Sequence, residues 1–452
     1  MVLSSLVTSF LGALQASLAV LLTISYGIVA SQFQILRESS AKDISKLCVR
    51  LFLPALLITN VGAQLHLDTA SRYVPILVWS LVYTLLSLAL GLLATRLFKL
   101  PSWVTPAVAF NNTTSLPLLL VQALDATGVL AKLLMNEHDT SAEAVQRAKS
   151  YFLVCAVVGN SLTFALGPKL LDGENAPDES SEQPSEGGDE EADQDTAIEG
   201  TEDAEAGRTR PHHRDGRDAA SGGDVNEATS LLPDPVVQQG QRAGRKAFKE
   251  SKKYWDQCPH WLQAMLDLLY AFINPPLIGA VTGAVLGLVP PLHRLFFNGT
   301  EAGGFFKAWL TTSIQNIGEL FPALQLVVVG SKLSNSLRKM KKGEASGTVP
   351  WSPMLLIFAI RFVAWPLISI AVIWAMATRT QILGPDPMLW FCMMLMPTGP
   401  PAIMLMSLAD VNGTNELEKM AIAKFLTIAY VVSPVICFAV VGSLRACEAA
   451  MT

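Results

Sequence analysis

The residues best suited to chemistry form a polar cluster inside an apolar stretch of the chain. The segment AFNNTTSLPLLLVQAL, residues 109–124, places Asn111, Asn112 and Pro117 among residues that otherwise suit lipid. Asparagine amides donate and accept hydrogen bonds, and proline removes a backbone donor and opens the helix around it. At membrane depth this cluster predicts either a capped proline kink or a binding site for a polar or anionic solute.

A second apolar segment, MLMPTGPPAIMLMSLA at residues 394–409, carries a similar interruption. Two broken helices at corresponding places would present half-helix N-termini and free carbonyls, which bind small solutes in transporters. For one helix a simple kink is the better interpretation, but two matching breaks favour a site. The expected substrate-binding residues are Asn111, Asn112, Pro117, Thr398, Gly399, Pro400 and Pro401.

The composition indicates which elements must hold these residues in place. The chain has 452 residues, of which 51% are hydrophobic and 16% charged, a balance that excludes a soluble protein and predicts an all-α polytopic membrane protein in contact with the lipid bilayer. A window of about 20 residues finds ten apolar segments, which we number span 1 to span 10. They are 8–31, 42–62, 73–98, 102–124, 148–168, 262–289, 305–329, 353–377, 386–408 and 419–444.

Short-loop lysines and arginines predict the orientation of these spans. The loops after spans 1, 3 and 7 are basic and should face the cytosol, which places both termini in the lumen or outside the cell. The endoplasmic reticulum is the expected membrane, with the plasma membrane and the vacuole as alternatives. Asn298, in the sequon Asn298-Gly-Thr300, should then be lumenal, and Asn412, in a second sequon, cytosolic.

The chain also contains an internal repeat. The segment FLPALLITNVGAQL in span 2 aligns without gaps to LFPALQLVVVGSKL in span 7, pairing Pro54 with Pro322 and Gly62 with Gly330. A repeat unit of five helices must insert upside down relative to its copy, as in many secondary transporters. The expected architecture is therefore ten transmembrane helices in two inverted five-helix repeats, with broken spans 4 and 9 crossing near the membrane centre.

This repeat divides the chain into three regions. An N-terminal repeat covers 1–168 and a C-terminal repeat covers 261–452, separated by an acidic loop at 169–260 that should be cytosolic and largely disordered. The loop ends with an acidic dileucine pattern at Leu231-Leu232, which short chance matches also produce, and a basic segment at 242–255. That segment is either a membrane-surface contact or a solvated approach to span 6.

Charged residues within the spans are candidates for coupling. Glu319 lies three residues before Pro322, where a carboxylate could carry a proton, and Arg50 occupies nearly the matching position in the other repeat. A structural ion pair between Glu319 and Arg50 is the slightly favoured interpretation. Arg361 and Lys424 could extend to an interface or pair there. No pair of acids accompanies the broken helices, which argues against proton or sodium antiport.

Other residue patterns predict packing rather than chemistry. Gly279, Gly283 and Gly287 recur every fourth residue in span 6 and allow a neighbouring backbone to approach, within the scaffold or in a homodimer. The six scattered cysteines are expected to be buried thiols. The sequence contains no nucleophile and base set, phosphate loop or metal cluster. We therefore expect no enzyme activity, cofactor, metal or nucleic-acid partner.

Several motifs together resemble the auxin efflux carrier family, in particular its PIN-like branch. They are FNNTTSLPL in span 4, INPPLIGAVTGAVLGLVP in span 6 and the proline-rich segment of span 9. The long acidic loop and the residues of span 9 are more similar to fungal members than to plant members. The resemblance implies elevator-like movement of small organic anions such as indole-3-acetate through a site where spans 4 and 9 cross. Its crossover element falls on Asn111, Asn112 and Pro117, and its second proline on Pro400 or Pro401. Span 9 lacks the second asparagine of that pattern.

Two function classes follow from these observations. The first is a secondary transporter or facilitator for auxin-like carboxylates. The second is a non-transporting membrane receptor or scaffold, built on a transporter fold, that signals through the acidic loop.

Overall fold

The structure, a computed structural model, describes most of both helical blocks. The described residues are 2–67, 69–136, 138–171, 274–341, 351–402, 404–411 and 416–451. Four sequence features lie outside them: the acidic loop from residue 172 with its dileucine and basic segments, residues 262–273 of span 6, residues 342–350 of the loop after span 7, and the sequon at Asn412.

Helices form the regular structure of both blocks. The first block contains α1 (Val2–Gln32), α2 (Glu38–Leu47), α3 (Leu53–Gln64), α4 (Tyr73–Phe98), α5 (Val104–Ala109), α6 (Ser115–Ala126) and α7 (Ser141–Leu171). The second contains α8 (Pro275–Leu288), α9 (Pro290–Phe297), α10 (Thr312–Glu319), α11 (Phe321–Lys341), α12 (Trp351–Phe358), α13 (Trp365–Arg379), α14 (Pro387–Leu395), α15 (Met404–Val411), α16 (Glu416–Val432) and α17 (Ile436–Met451). Single π-helical turns at Cys48–Phe52, Lys307–Thr311 and Ala359–Ala364 precede α3, α10 and α13.

Polar caps and first-turn prolines start several of these helices. Asn274 accepts a hydrogen bond at 2.9 Å from the Leu277 amide and so caps α8, which begins with two prolines. Asp386 caps α14 in the same way, through the Met388 amide at 3.0 Å. A proline in the first turn is tolerated because that amide has no partner within the helix.

Seven helices among the described residues are long and apolar enough to cross a membrane. They correspond to predicted spans 1, 2, 3, 5, 7, 8 and 10, which confirms an integral membrane protein. Span 6 ends near its predicted boundary, but the chain then bends by 102° into α9, a short helix that the sequence did not predict. Span 4 is divided into α5 and α6, and span 9 into α14 and α15.

Two helix seams have the closest backbone packing. In one, α8 lies on α3, and a Cβ added at Gly279 would meet Pro54 Cα at 2.6 Å, while one at Gly287 would meet Leu65 O at 2.1 Å. In the other seam, α1 lies on α11, and a Cβ added at Gly27 would lie 2.0 Å from Val327 O. Only glycine permits such approach. The glycines of span 6 are therefore engaged inside the chain, as the packing interpretation predicts, and do not form an outward surface for a homodimer.

Two of the half-helices, α5 and α14, lie in the interior, whereas the uninterrupted α4 faces outward. Every residue of α14 is buried, and so is every residue of α5. By contrast, α4 exposes large apolar side chains along much of its length, including Leu77, Val78 and Leu93. Apolar side chains suit contact with lipid tails, while non-helical backbone at membrane depth must be shielded by protein. The two breaks are placed as this constraint requires.

Candidate functional site

The two interrupted helices meet at their breaks. Asn111 and Pro401 form an isolated antiparallel bridge between the chain segments. The Asn112 amide donates to Pro400 O at 3.1 Å, and the Ala402 amide donates to Phe110 O at 3.0 Å. Each break therefore satisfies backbone groups of the other, which neither helix could do alone. We call residues 110–114 and 396–402 the crossover.

Asn111 and Asn112 are both buried at the crossover, and both hold it together. The side-chain Nδ2 of Asn111 donates to Met396 O at 2.7 Å and to Thr398 O at 3.3 Å. The side-chain Nδ2 of Asn112 donates to the Tyr430 hydroxyl at 3.0 Å, and its side-chain Oδ1 accepts from the backbone amide of Thr114 at 3.3 Å. The capping role, which the sequence left as one of two interpretations, is therefore present in this conformation.

The residues of the second break differ in their roles. Gly399 has a φ of +111°, a left-handed conformation that disfavours a side chain, and the space beside it is open except for Ile436 Cδ1 at 3.8 Å. The Thr398 hydroxyl donates back to Leu395 O at 2.7 Å. Pro401 O accepts a hydrogen bond from Tyr430 at 3.3 Å. Pro117 lies in the first turn of α6, so it starts a helix rather than interrupting one.

Side chains from other helices cap the carbonyls at the end of α14. The last carbonyls of a helix have no partner within it, and in an apolar surrounding they require one. Trp79 Nε1 donates to Met393 O at 2.9 Å, Ser369 Oγ to Met394 O at 2.6 Å, Asn111 to Met396 O, and Arg361 Nη1 to Pro397 O at 3.4 Å. The carbonyls that a broken helix exposes are thus occupied by this chain's own donors.

Arg361 contacts both broken helices at once. Its Nη1 lies 3.4 Å from Pro397 O, after α14, and its Nη2 lies 3.4 Å from Ala107 O, near the end of α5. The side chain is fully buried. The expectation that Arg361 extends to a membrane interface is wrong. Hydropathy identified it as an unusual charge within a span, but only the packing of span 8 shows what it meets.

The hydrogen bond found for the Glu319 carboxylate does not come from Arg50, its expected partner. Glu319 is exposed at the end of α10 and accepts a hydrogen bond from Gln315 Nε2 at 2.7 Å, one turn earlier on the same helix. Matching positions in two repeats do not by themselves bring side chains together. Neither residue lies at the crossover.

A charged network closes one end of the bundle near α7 and α14. Arg147 makes a two-pronged ion pair with Asp139, at 2.6 and 2.8 Å, and its Nε lies 3.5 Å from Asp386. The Tyr151 hydroxyl donates to Asp386 at 2.6 Å. Hydrogen bonding from Arg147 lowers the pKa of the Asp139 carboxyl below its ordinary value of 3.8. The network joins the two sequence halves at the helix starts rather than at the crossover.

A polar cavity lies between α3, α7 and α10, with a volume of about 210 Å³. Threonine, asparagine and glutamine side chains line much of it, together with Lys307 and Phe297. Gln146 of α7 lines this cavity, whereas Gly159 of the same helix lies beside the crossover. The two residues are thirteen positions apart, roughly 20 Å along a helix. A Cβ at Gly159 would lie 3.4 Å from Thr113 Oγ1, at the crossover. The cavity is therefore well separated from the crossover.

Comparison with known proteins identifies the family of this chain. The family described as membrane transport protein matches residues 13–439. An uncharacterized transporter of Schizosaccharomyces pombe is 24% identical over 90% of this chain and 89% of its own length. An uncharacterized transporter of Saccharomyces cerevisiae is 24% identical over 92% of each chain. The protein PIN-LIKES 3 of Arabidopsis thaliana is 25% identical over 42% of this chain and 43% of its own length. The chain therefore belongs to the membrane transport protein family, that of the auxin efflux carriers.

Proposed function

We propose that this chain is a secondary transporter or facilitator that moves small organic anions, auxin-like carboxylates, across a membrane. The observation that carries the proposal is the crossover, where two helices from different halves of the sequence are broken at the same place and bond to each other. Membrane proteins tolerate such breaks where protein buries them or where they line a cavity, and in many secondary transporters paired breaks form the substrate site.

The substrate site that we propose lies at the crossover and in the first turn of α6, which follows it. It comprises Asn111, Asn112, Pro117, Thr398, Gly399, Pro400 and Pro401. The N-terminal end of α6, which starts just after Thr114, carries a partial positive charge that favours a carboxylate.

The movement that we propose is elevator-like, within ten spans arranged as two inverted repeats. In two five-helix repeats, span 1 corresponds to span 6 and span 2 to span 7. Span 1 packs on span 7 in one glycine seam, and span 6 packs on span 2 in the other, so the two seams are equivalent under this repeat. We assign these four spans to a static scaffold. The remaining spans carry the crossover and would move past the scaffold with the bound anion.

We place the protein in the endoplasmic reticulum, with both termini lumenal and the long loop cytosolic. This topology predicts that Asn298, which directly follows α9, is glycosylated when the protein is made in a eukaryotic host. Asn412 should carry no glycan. Mass spectrometry of both sites tests the orientation, and a glycan on Asn412 would require the opposite one.

Uptake into proteoliposomes tests the proposed function. Purified protein reconstituted into vesicles should take up labelled indole-3-acetate or a related carboxylate faster than protein-free vesicles and faster than the Pro401→Ala variant. Saturable binding without uptake would instead favour a receptor on a transporter fold.

A further inference from the structure

The ends of two half-helices create a negative region at the crossover. The C-terminus of a helix carries roughly −0.5 of an elementary charge, so two such ends together provide about −1. Two carbonyls at these ends face the same place: Ala107 O, in the last turn of α5, and Pro397 O, just after α14. Unwound carbonyls of this kind coordinate sodium ions in secondary transporters with broken helices. A site built only from them would favour a cation.

Arg361 occupies this region with a positive charge of its own. It bridges the two carbonyls at 3.4 Å each, and its side chain is completely buried. No carboxylate among the described residues forms an ion pair with it. A charge at membrane depth is costly unless it is compensated. Here the two helix ends face the Nη atoms, while the buried Nε has no hydrogen-bond partner among the described residues. The guanidinium and the two helix ends are complementary in sign and in approximate magnitude.

We propose that Arg361 is a tethered cation that takes the place of a coupling cation at the crossover. It balances the two C-terminal helix ends permanently, so the positive N-terminal ends remain to attract a substrate. The crossover therefore selects an organic anion and needs no sodium ion to do so. Arg361 is a positioning residue in this account, because it acts through the helix ends rather than by contact with the solute. The selectivity part of the inference rests on the proposed function, whereas the charge replacement does not.

Chemical rescue of an arginine deletion tests the charge replacement without any substrate. Arg361→Ala should have a lower melting temperature than wild type, and guanidinium chloride at millimolar concentration should restore it. Tetramethylammonium chloride at the same concentration should not, because this cation has the same charge but no N–H or O–H to donate to the carbonyls. Arg379→Ala is the matched control, since Arg379 lies at the exposed end of the same span. That variant should respond to neither salt. An Arg361→Ala protein as stable as wild type, or one that guanidinium does not stabilise, would overturn the inference.

A second pair of variants keeps the test decisive if the alanine variant does not fold. Arg361→Lys retains the charge without the planar fork, and Arg361→Gln retains hydrogen-bond donors without the charge. Lysine should keep most of the stability and glutamine should lose it. Equal stability of the two would show that the charge does not matter and would overturn the proposal.

Binding assays then test selectivity. Wild-type affinity for a carboxylate such as indole-3-acetate should be the same in sodium and in choline buffer. In Arg361→Gln it should fall by about tenfold or more, as expected when a nearby unit charge is removed. Sodium-dependent binding by wild type would contradict the inference. If wild type binds no carboxylate at all, the proposed function and the selectivity claim both fail, whereas guanidinium rescue would still establish the tethered cation.

Discussion

The glycine seams and the crossover are held together by opposite means. In the seams, backbones of α1 and α11, and of α3 and α8, approach so closely that a single added carbon would overlap a carbonyl. At the crossover the two chain segments exchange backbone hydrogen bonds, and side-chain amides, hydroxyls and a guanidinium satisfy further exposed carbonyls. A seam packed this closely leaves little room for change between its helices, while hydrogen bonds can be exchanged for those of a solute. The difference supports a static scaffold and an adaptable site.

The largest effect should come from filling a seam. We expect Gly287→Val to prevent correct packing of α8 on α3, because its Cβ would lie 2.1 Å from Leu65 O. The cost should reach about 3 kcal/mol or more, at the upper end for overpacked interiors. Monodispersity on size-exclusion chromatography and melting temperature are the measurements. Gly299→Ala is the control, because a Cβ there meets nothing within 4 Å. If Gly287→Val matches this control, the seam is not rigid.

A proline change should separate transport from stability at the crossover. Pro401→Ala gives residue 401 an amide that can bond to the carbonyl of Pro397, four residues earlier, which Arg361 now contacts. We expect uptake to be lost while heat stability is unchanged or higher. Pro275→Ala should keep transport, because this proline lies in the first turn of α8 and outside the proposed site. Equal loss of uptake in both variants would show that the break itself is not what transport requires.

Loss of a cap should have an intermediate effect. Asn111→Ala leaves the buried Met396 carbonyl without its donor at 2.7 Å, which should lower stability by about 1–3 kcal/mol. Affinity for a carboxylate should fall with it, since the crossover loses its shape. Calorimetry and binding on the same preparation provide both values. A fall in affinity at unchanged stability would mean that Asn111 contacts the solute directly and is not chiefly a cap.

The sequence predicts the breaks better than it predicts what surrounds them. Asn111, Asn112 and Pro401 are visible as polar residues and prolines in apolar segments, and this local signal locates the crossover. Arg361 and Tyr430 reach the crossover from spans 8 and 10, and no local pattern indicates which face of those helices turns inward. The expected Glu319 and Arg50 pair depends on the same information, because repeat positions do not determine which side chains meet, and the hydrogen bond found for Glu319 comes from Gln315. Tertiary packing decides all three.

The most direct test of the crossover as the anion site uses Thr113. Its hydroxyl makes no hydrogen bond to any described residue, yet it lies beside Gly159 within the crossover. Thr113→Val removes this hydroxyl and leaves every described hydrogen bond intact, whereas the matched Thr398→Val removes the bond to Leu395 O. The account predicts that Thr113→Val lowers carboxylate affinity by about tenfold at an unchanged melting temperature, and that Thr398→Val lowers the melting temperature. Unchanged carboxylate affinity in Thr113→Val would contradict the claim that the solute binds at the crossover.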